Sequence, residues 1–426
     1  MMKNMKEEVM RVNKHTFIHI THAENFKSNV IAAFLLTDLN RETVTKNALI
    51  PAVLRRGTQN LKTMKEISIK MNDMYGAVFD ASTDKIGDKQ SIQLYLSMID
   101  NAYALEGEDL LGEGLDFLYD IIYHPKLENG VFDAEYVSGE KETLRELIKG
   151  KINNKASYAN FRCLEEMLGD DPYAVYKYGN EADLEEITSE NLYEQYRYLL
   201  ETAEIHFYIS GNVDSEAVKA FFLDKFEKQE GVLEDTPRTK KAEIAFVEEK
   251  QVIENMDVVQ GKLVLGYDVD LPIGAETLYP ILVYNAILGS SSNSKLFQNV
   301  REKASLAYTI RSSYLKHKGI LLISAGIEAD KYDKAVALIK VQVEDMRKGN
   351  YTEEDIQDAK VFLENLFMSC LDDQTTLIEL NIGQFVAGIE DSVEEMVRKI
   401  SAVSREEIVN VANSIKPVIS YYLCAQ

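Results

Sequence analysis

The chemistry open to this chain is bounded first by its metal-ligating and nucleophilic side chains. It carries six histidines, His15, His19, His22, His124, His206 and His317. A hydrolytic metal site takes about three protein ligands, usually with two histidines one helical turn apart. No histidine here belongs to an HExxH or HxxEH pattern. His15, His19 and His22 are close enough to weigh as a zinc cluster. Side chains alternate along a strand, so His15 and His19 face one way and His22 the other, and a solvated strand end is the expectation. His124 precedes Pro125 and reads as a capping or turn residue. The loop Gly289-Ser290-Ser291-Ser292 has neither the GxSxG elbow nor a phosphate-loop pattern. Carboxylates such as Glu140 and Glu146 are expected on a solvated helix face. These residues point to no catalytic set, no metal and no cofactor.

The bulk composition narrows the setting. Hydrophobic residues make up 46% and charged residues 27% of 426 residues, the balance of a soluble globular protein with more than one domain. A net charge of -23 argues against nucleic-acid binding, which needs a basic footprint; an acidic surface would draw cationic peptides at low salt. Cys163, Cys370 and Cys424 lie far apart with no CxxC spacing, which fits a reducing compartment. Residues 1–12 are charged and hold no apolar signal core, and runs such as 30–36 are too short to span a bilayer. The expectation is a cytoplasmic protein with no membrane partner.

Alternating strands and long helices must position whatever site exists. Residues 17–21 and 30–36 read as strands around a polar turn, and 43–55 and 61–74 as helices. Ile92, Leu94, Leu96 and Met98 share one face of a half-buried strand, covered on one side by helices. Helices are expected at 107–123, 133–148 and 158–167. The second half repeats the order: a strand at 262–267, helices at 278–288 and 294–303, strands at 307–314 and 320–327, and long helices at 352–371 and 375–386. Thr352-Glu353-Glu354-Asp355 has a capping-box pattern. The two ends match best. Ile187-Thr188-Ser189 leads into a helix and a strand at 205–210, and Val403-Ser404-Arg405 into a helix and a strand at 418–424. Residues 224–250 are charged, contain Gly231 and Pro237, and read as a linker. The expected fold is α+β: two copies of one domain, at 1–223 and 251–426, each a mostly antiparallel sheet covered by helices.

One stretch adds a resemblance. Ile287-Leu288-Gly289-Ser290, Ser294-Lys295-Leu296-Phe297, Arg301-Glu302-Lys303 and Leu306-Ala307-Tyr308 fall in the order of the C-domain signature of the pitrilysin/insulinase peptidases, which they closely resemble. Arg56-Gly57-Thr58 looks like the tripeptide after that family's zinc helix, and Asp80-Ala81-Ser82-Thr83 like its edge strand. Gly169-Asp170-Asp171-Pro172-Tyr173 and Gly211-Asn212-Val213-Asp214 follow in the expected order. The likeness covers nearly the whole chain. It implies two mitochondrial-processing-peptidase-like domains facing each other across a peptide-clamping chamber.

Active relatives carry HxxEH on the helix before the tripeptide. Alignment on Arg56-Gly57-Thr58 puts Ala48, Pro51 and Ala52 at the His, Glu and His positions, and the third ligand near Glu146 or Leu147. Alkyl groups cannot bind zinc, and no carboxylate remains there to activate water. The family's substrate-contacting arginine and tyrosine fall on Arg301 and Tyr308, both able to donate to a carbonyl gaining negative charge. From the residues alone, Arg301 is a helix-end cation and Tyr308 shares a strand face with Leu306 and Ile310. The resemblance implies a zinc-less, non-catalytic subunit that positions a peptide or unfolded protein for a zinc-bearing paralogous partner in a dimer. The alternative is a peptide-binding or scaffold protein with no proteolytic role. The chain is also similar to a Firmicute-type subgroup associated with 5-aminopentanol modification of elongation factor P.

Overall fold

A computed structural model describes residues 7–226, 239–244 and 248–424. The chain divides into two compact units, Met1–Lys149 with Val175–Thr236, and Gly150–Ala174 with Pro237–Gln426.

The first unit is built on β1 (Glu7–Arg11), β2 (Thr16–His22), β3 (Ser28–Asp38), β4 (Val78–Ile86) and β5 (Lys89–Ile99). A two-residue hairpin of β6 (Leu127–Glu128) and β7 (Val131–Phe132) follows, and then the closing strand β8 (Glu204–Gly211). The sheet order is β1-β2-β8-β3-β5-β4. Strands β2 and β3 therefore do not pair; β8 lies between them, parallel to β2 and antiparallel to β3. The helices are α1 (Val44–Leu54), α2 (Met64–Asp73), α3 (Leu110–Tyr123), α4 (Ala134–Gly150), α6 (Ser189–Thr202) and α7 (Ser215–Lys225). Period-two alternation puts Ile92, Leu94, Leu96 and Met98 into one core with Leu115 and Leu118 of α3. The other face is buried too, since Phe34 and Tyr208 are at most 1% exposed.

The second unit holds β9 (Lys250–Asn255), β10 (Gly261–Val269), β11 (Ala307–Leu315), β12 (Ile320–Ile327) and β13 (Ile415–Cys424). Its order, β11-β12-β10-β13-β9, read backwards repeats β2-β8-β3-β5-β4 of the first sheet. The single parallel pair recurs in the same place, β9 with β13. Both copies also carry a proline inside the helix after the central strand, Pro51 in α1 and Pro280 in α8 (Ala275–Asn285). Helix α8 runs on into a π-helical turn, Ala286–Ser290, and a second π-helical segment follows at Phe297–Lys303. The unit is completed by α9 (Tyr332–Arg347), α10 (Glu353–Ser369), α11 (Gln374–Ala387), α12 (Val393–Ala402) and α13 (Arg405–Ser414). Thr352 and Asp355 form the expected capping box, and Thr188/Asn191 and Ser404/Glu407 cap the two helices that precede the closing strands.

The structure departs from the sequence reading in several places. The boundaries at 1–223 and 251–426 leave Gly150–Ala174 in the first copy, whereas it groups with the second unit. Helix α5 (Lys155–Leu168) lies on β10 and β13, so the second sheet is covered on both faces and not on one. Close approach requires Gly266, where an added Cβ would meet Ile419 Cγ2 at 2.8 Å and Met167 Sδ at 2.9 Å. Glu254 of β9 ties the helix down, accepting from Tyr158 Oη at 2.7 Å and Arg162 Nε at 3.1 Å, and from Tyr421 Oη of β13 at 2.7 Å. Helix α9 was not expected; it has no side-chain N-cap bond and is rich in β-branched residues. Of the expected linker 224–250, residues 227–238 and 245–247 lie outside the described residues. No helix among the described residues is long and apolar enough to cross a membrane.

Two stability outcomes follow from the α5 docking. Gly266→Val should overpack this contact and cost about 1–3 kcal/mol, read as a lower urea midpoint. For Glu254, burial raises the carboxyl pKa, but the bonds from Tyr158, Tyr421 and Arg162 outweigh it and hold the group below its ordinary 4.5. A depressed carboxylate stabilises the fold above its unfolded pKa and loses that contribution as pH falls through the folded value. Glu254→Gln should therefore lower the urea midpoint at pH 7, with the gap from the parent closing as pH falls below the ordinary carboxyl value of 4.5. An equal gap above and below that value would contradict this.

Candidate functional site

Helix α1 carries the three positions that the resemblance assigns to zinc. Ala48 is buried at 6% exposure, Pro51 is buried and Ala52 is half-buried. Two methyls and a pyrrolidine ring offer no lone pair to a metal. Glu146, at the expected third position, is exposed on α4. Among the described residues no group of three His, Cys, Asp or Glu side chains is placed to hold a metal ion. The residues present do not fit zinc.

Neutral amides hold α1 instead. Asn47 donates to Gln90 Oε1 at 3.0 Å and accepts from Gln195 Nε2 at 2.9 Å, while Gln90 donates to the Val44 carbonyl at 2.9 Å. Just past the helix, Arg56 pairs with Glu140 of α4. Glu140 is only 8% exposed, so the solvated-face expectation fails for it. The signal was present in the sequence: Val137, Glu140 and Leu144 share the buried stripe of α4 at helical spacing.

The three early histidines do not converge. His15 precedes β2. His19 is buried at 4% exposure and not at a solvated strand end; its Nε2 lies 2.9 Å from His206 Nδ1 and its Nδ1 3.2 Å from Glu7 Oε1. Strand β8, inserted beside β2, brings His206 there and buries the site. His22 turns to Ser215 Oγ at 2.8 Å. His124 ends α3 and pairs with Asp120 at 2.9 Å, as a turn residue would.

Arg301 and Tyr308 lie at the start of an open sheet edge. Arg301 sits in the π-helical segment, with its guanidinium 4.6 Å from the Phe297 ring centre and its Nε 3.4 Å from Glu302. Its side chain is 41% exposed. Ser305 takes a left-handed φ of 51°, and the Leu306 N–H donates to the Val300 carbonyl at 3.0 Å, folding the chain back beside Arg301. Strand β11 then pairs with β12 through a bulge. Ala307 faces Ile327 and Thr309 faces Gly326, which leaves Tyr308 as the extra residue. Bulges re-aim side chains at sheet edges. Tyr308 is 76% exposed while Ala307 and Ile310 are buried, so it does not share a buried face with Ile310 as strict alternation implied. Among the described residues β11 has no strand partner on its outer side.

Among the described residues the first unit has an equivalent open edge at β4. Beside its start, Arg55, Met64, Ile67, Met71, Val78 and Phe79 line a cavity of about 340 Å³. Val78 is 66% exposed at its rim. A ladder edge beside a recess of mixed polarity, lined also by Ser68 and Asn72, suits an added peptide strand, with backbone bonds for affinity and a recess for a side chain.

Comparison with known proteins agrees with this architecture. The family model described as "Peptidase M16 inactive domain" matches residues 186–362. "Probable inactive metalloprotease YmfF" of Bacillus subtilis is 33% identical over 95% of this chain and 95% of its own. A crystal structure of a conserved protein from Enterococcus faecalis superposes with a TM-score of 0.88 at 26% identity, covering 99% of both chains. The peptidase M16 inactive domain structure from Pseudomonas fluorescens gives a TM-score of 0.77 at 15% identity, over 99% of this chain and 98% of that one. With a relative this similar along nearly its whole length, the chain belongs to the M16 peptidases, the pitrilysin/insulinase family.

Proposed function

We propose that the chain is a non-catalytic, substrate-positioning subunit of a heterodimeric zinc metallopeptidase, acting in the cytoplasm with a zinc-bearing paralogue. The observation that carries this reading is the bulge that exposes Tyr308 next to Arg301 on an open strand edge. A phenol and a guanidinium aimed outward can donate to a peptide carbonyl as it gains negative charge. Ala48, Pro51 and Ala52, proposed as the vacated zinc positions, supply no ligand, so hydrolysis needs a metal held by another chain. The name of the Bacillus subtilis relative, a probable inactive metalloprotease, supports the non-catalytic part of this reading. The open β4 edge and its cavity supply a second place where an extended peptide can lie.

In this reading the protein's residues bind and orient and do not activate water. Arg301 is held by its stack on Phe297 and needs little reordering to meet a carbonyl. The association with 5-aminopentanol modification of elongation factor P is the cellular setting we propose for it. Deleting the gene should then lower the modified fraction of that factor by mass spectrometry.

The decisive experiment mixes the chain with a co-purified zinc-bearing paralogue and follows peptide cleavage. Arg301→Ala should cut kcat/KM by about 10²-fold or more, in the range of a lost oxyanion donor, with little change in complex formation. Tyr308→Phe should have the same sense and a smaller effect. Full activity in the Arg301→Ala mixture, or no zinc-bearing partner in the pull-down, rejects the positioning role and favours a scaffold that holds peptides without cleavage.

A further inference from the structure

The open edge at β11 differs in charge from the rest of the molecule. The chain carries 70 acidic residues against 47 basic ones. Yet between Glu276 and Glu328 the only acid is Glu302, against six cations: Lys295, Arg301, Lys303, Arg311, Lys316 and Lys318. Of the six, Arg301, Lys303 and Arg311 lie on β11 or in the segment just before it, whereas Lys318 is buried. Lys303 is exposed in the π-helical segment beside Arg301, and Arg311 projects from β11 three residues beyond Tyr308.

Several of these cations lack an acid to neutralise them. Arg311 makes no ion pair among the described residues, and Lys303 reaches only the neutral Asn299 Oδ1, at 3.0 Å. Among the described residues Arg301 pairs with its neighbour Glu302. Lys316 follows at the end of β11 with no acidic partner among the described residues, and burial pushes its amine down to about 8. Lys295 and Lys318 are spent on Asp345 and Asp171. In so acidic a protein, Arg311 and Lys303, both exposed and without an acidic partner among the described residues, leave a local positive field at this edge.

We infer that β11 binds an acidic peptide segment in extended form, added as a further strand, with its carboxylates on Arg311 and Lys303 and a backbone carbonyl beside Arg301 and Tyr308. Among the described residues no strand lies on the outer side of β11, and strand addition uses backbone groups without regard to sequence. Alternate side chains of the added strand lie over Thr309 and Arg311, which are both exposed. A carboxylate there gains a charge-assisted bond to the guanidinium. A basic peptide would meet like charge at the same position. The remainder of the surface repels an acidic chain weakly and at long range, so the discrimination is local. This inference rests on the positioning reading, because it names the substrate class for the same edge.

The test uses the full chain and three labelled decapeptides of one β-forming sequence, with Glu, Gln or Lys at alternate positions, followed by fluorescence anisotropy. The Glu peptide should bind about tenfold or more tighter than the Gln peptide at low salt, and the margin should shrink as salt rises. Arg311→Glu should abolish or invert the order, and Arg311→Gln should remove the margin while circular dichroism stays unchanged. N-methylation of alternate amides in the Glu peptide should abolish binding if the peptide adds as a strand. Equal or tighter binding of the Gln or Lys peptide, an unchanged margin in either Arg311 variant, or full binding by the methylated peptide would overturn the inference. Cleavage of the neutral Gln peptide by the paralogue mixture, still lost in Arg301→Ala, would separate the two cases: the positioning role would then stand without the acid preference.

Discussion

The fold depends on one late pairing made twice. Strands β2 and β3 present facing ladder edges that only β8 can fill, and β8 arrives from the far end of the first unit's chain. In the second unit β13, the last strand of the chain, does the same between β9 and β10. Until the closing strand is in place, the central strands hold unpaired N–H and C=O groups, a cost no buried backbone can carry. This long-range pairing is slow to form and pays loop-closure entropy first. The capped helices before each closing strand reduce that cost locally, since Thr188/Asn191 and Ser404/Glu407 fix where the chain turns inward.

The same constraint separates what could be read in the sequence from what could not. Alternation and helical periodicity are local, so β5, α3 and the capped helices were legible from Ile92, Leu94, Leu96 and the capping boxes. The repeat was legible because both copies spell out the closing motif. Sheet order is a property of distant segments, so nothing near β2 or β3 announces that β8 lies between them. Helix α5 has an ordinary amphipathic pattern, and no feature of it says which sheet it covers. Only Gly266, which cannot tolerate a side chain under Met167, marks the receiving surface. His19 was misplaced for the same reason, because its burial depends on His206 of the inserted strand.

At the candidate site the residue types were legible and their exposure was not. Strict alternation turns Tyr308 toward the side of Ile310. One extra residue at the bulge breaks that phase and sends the phenol outward, a two-versus-one pairing that depends on β12 as much as on β11. The left-handed Ser305 and the π-helical turns around Arg301 are further departures from regular structure in the same short stretch. Irregular backbone of this kind costs free energy and persists only where its surroundings over-determine it. In the first unit α1 carries a proline but no comparable run of π-helix, and its helix is regular from Val44 to Leu54.

That asymmetry bears on how a peptidase fold can lose its metal and keep its shape. Zinc ligands need polar donors pointing into a site, and burying such donors without a metal costs free energy. Ala48, Pro51 and Ala52, the positions we propose as the vacated ones, carry no donor, and the Asn47, Gln90 and Gln195 amides satisfy one another around the same helix. The first unit is therefore self-sufficient without an ion. At β11 the arrangement differs: Tyr308 and Arg311 are exposed, where an apolar or paired surface would serve stability better. A stretch that keeps strained backbone, an exposed phenol and unneutralised cations gains nothing for folding from any of them. These features are what the proposed contact with a peptide would use, and the open ladder edge sets the form that such a contact takes.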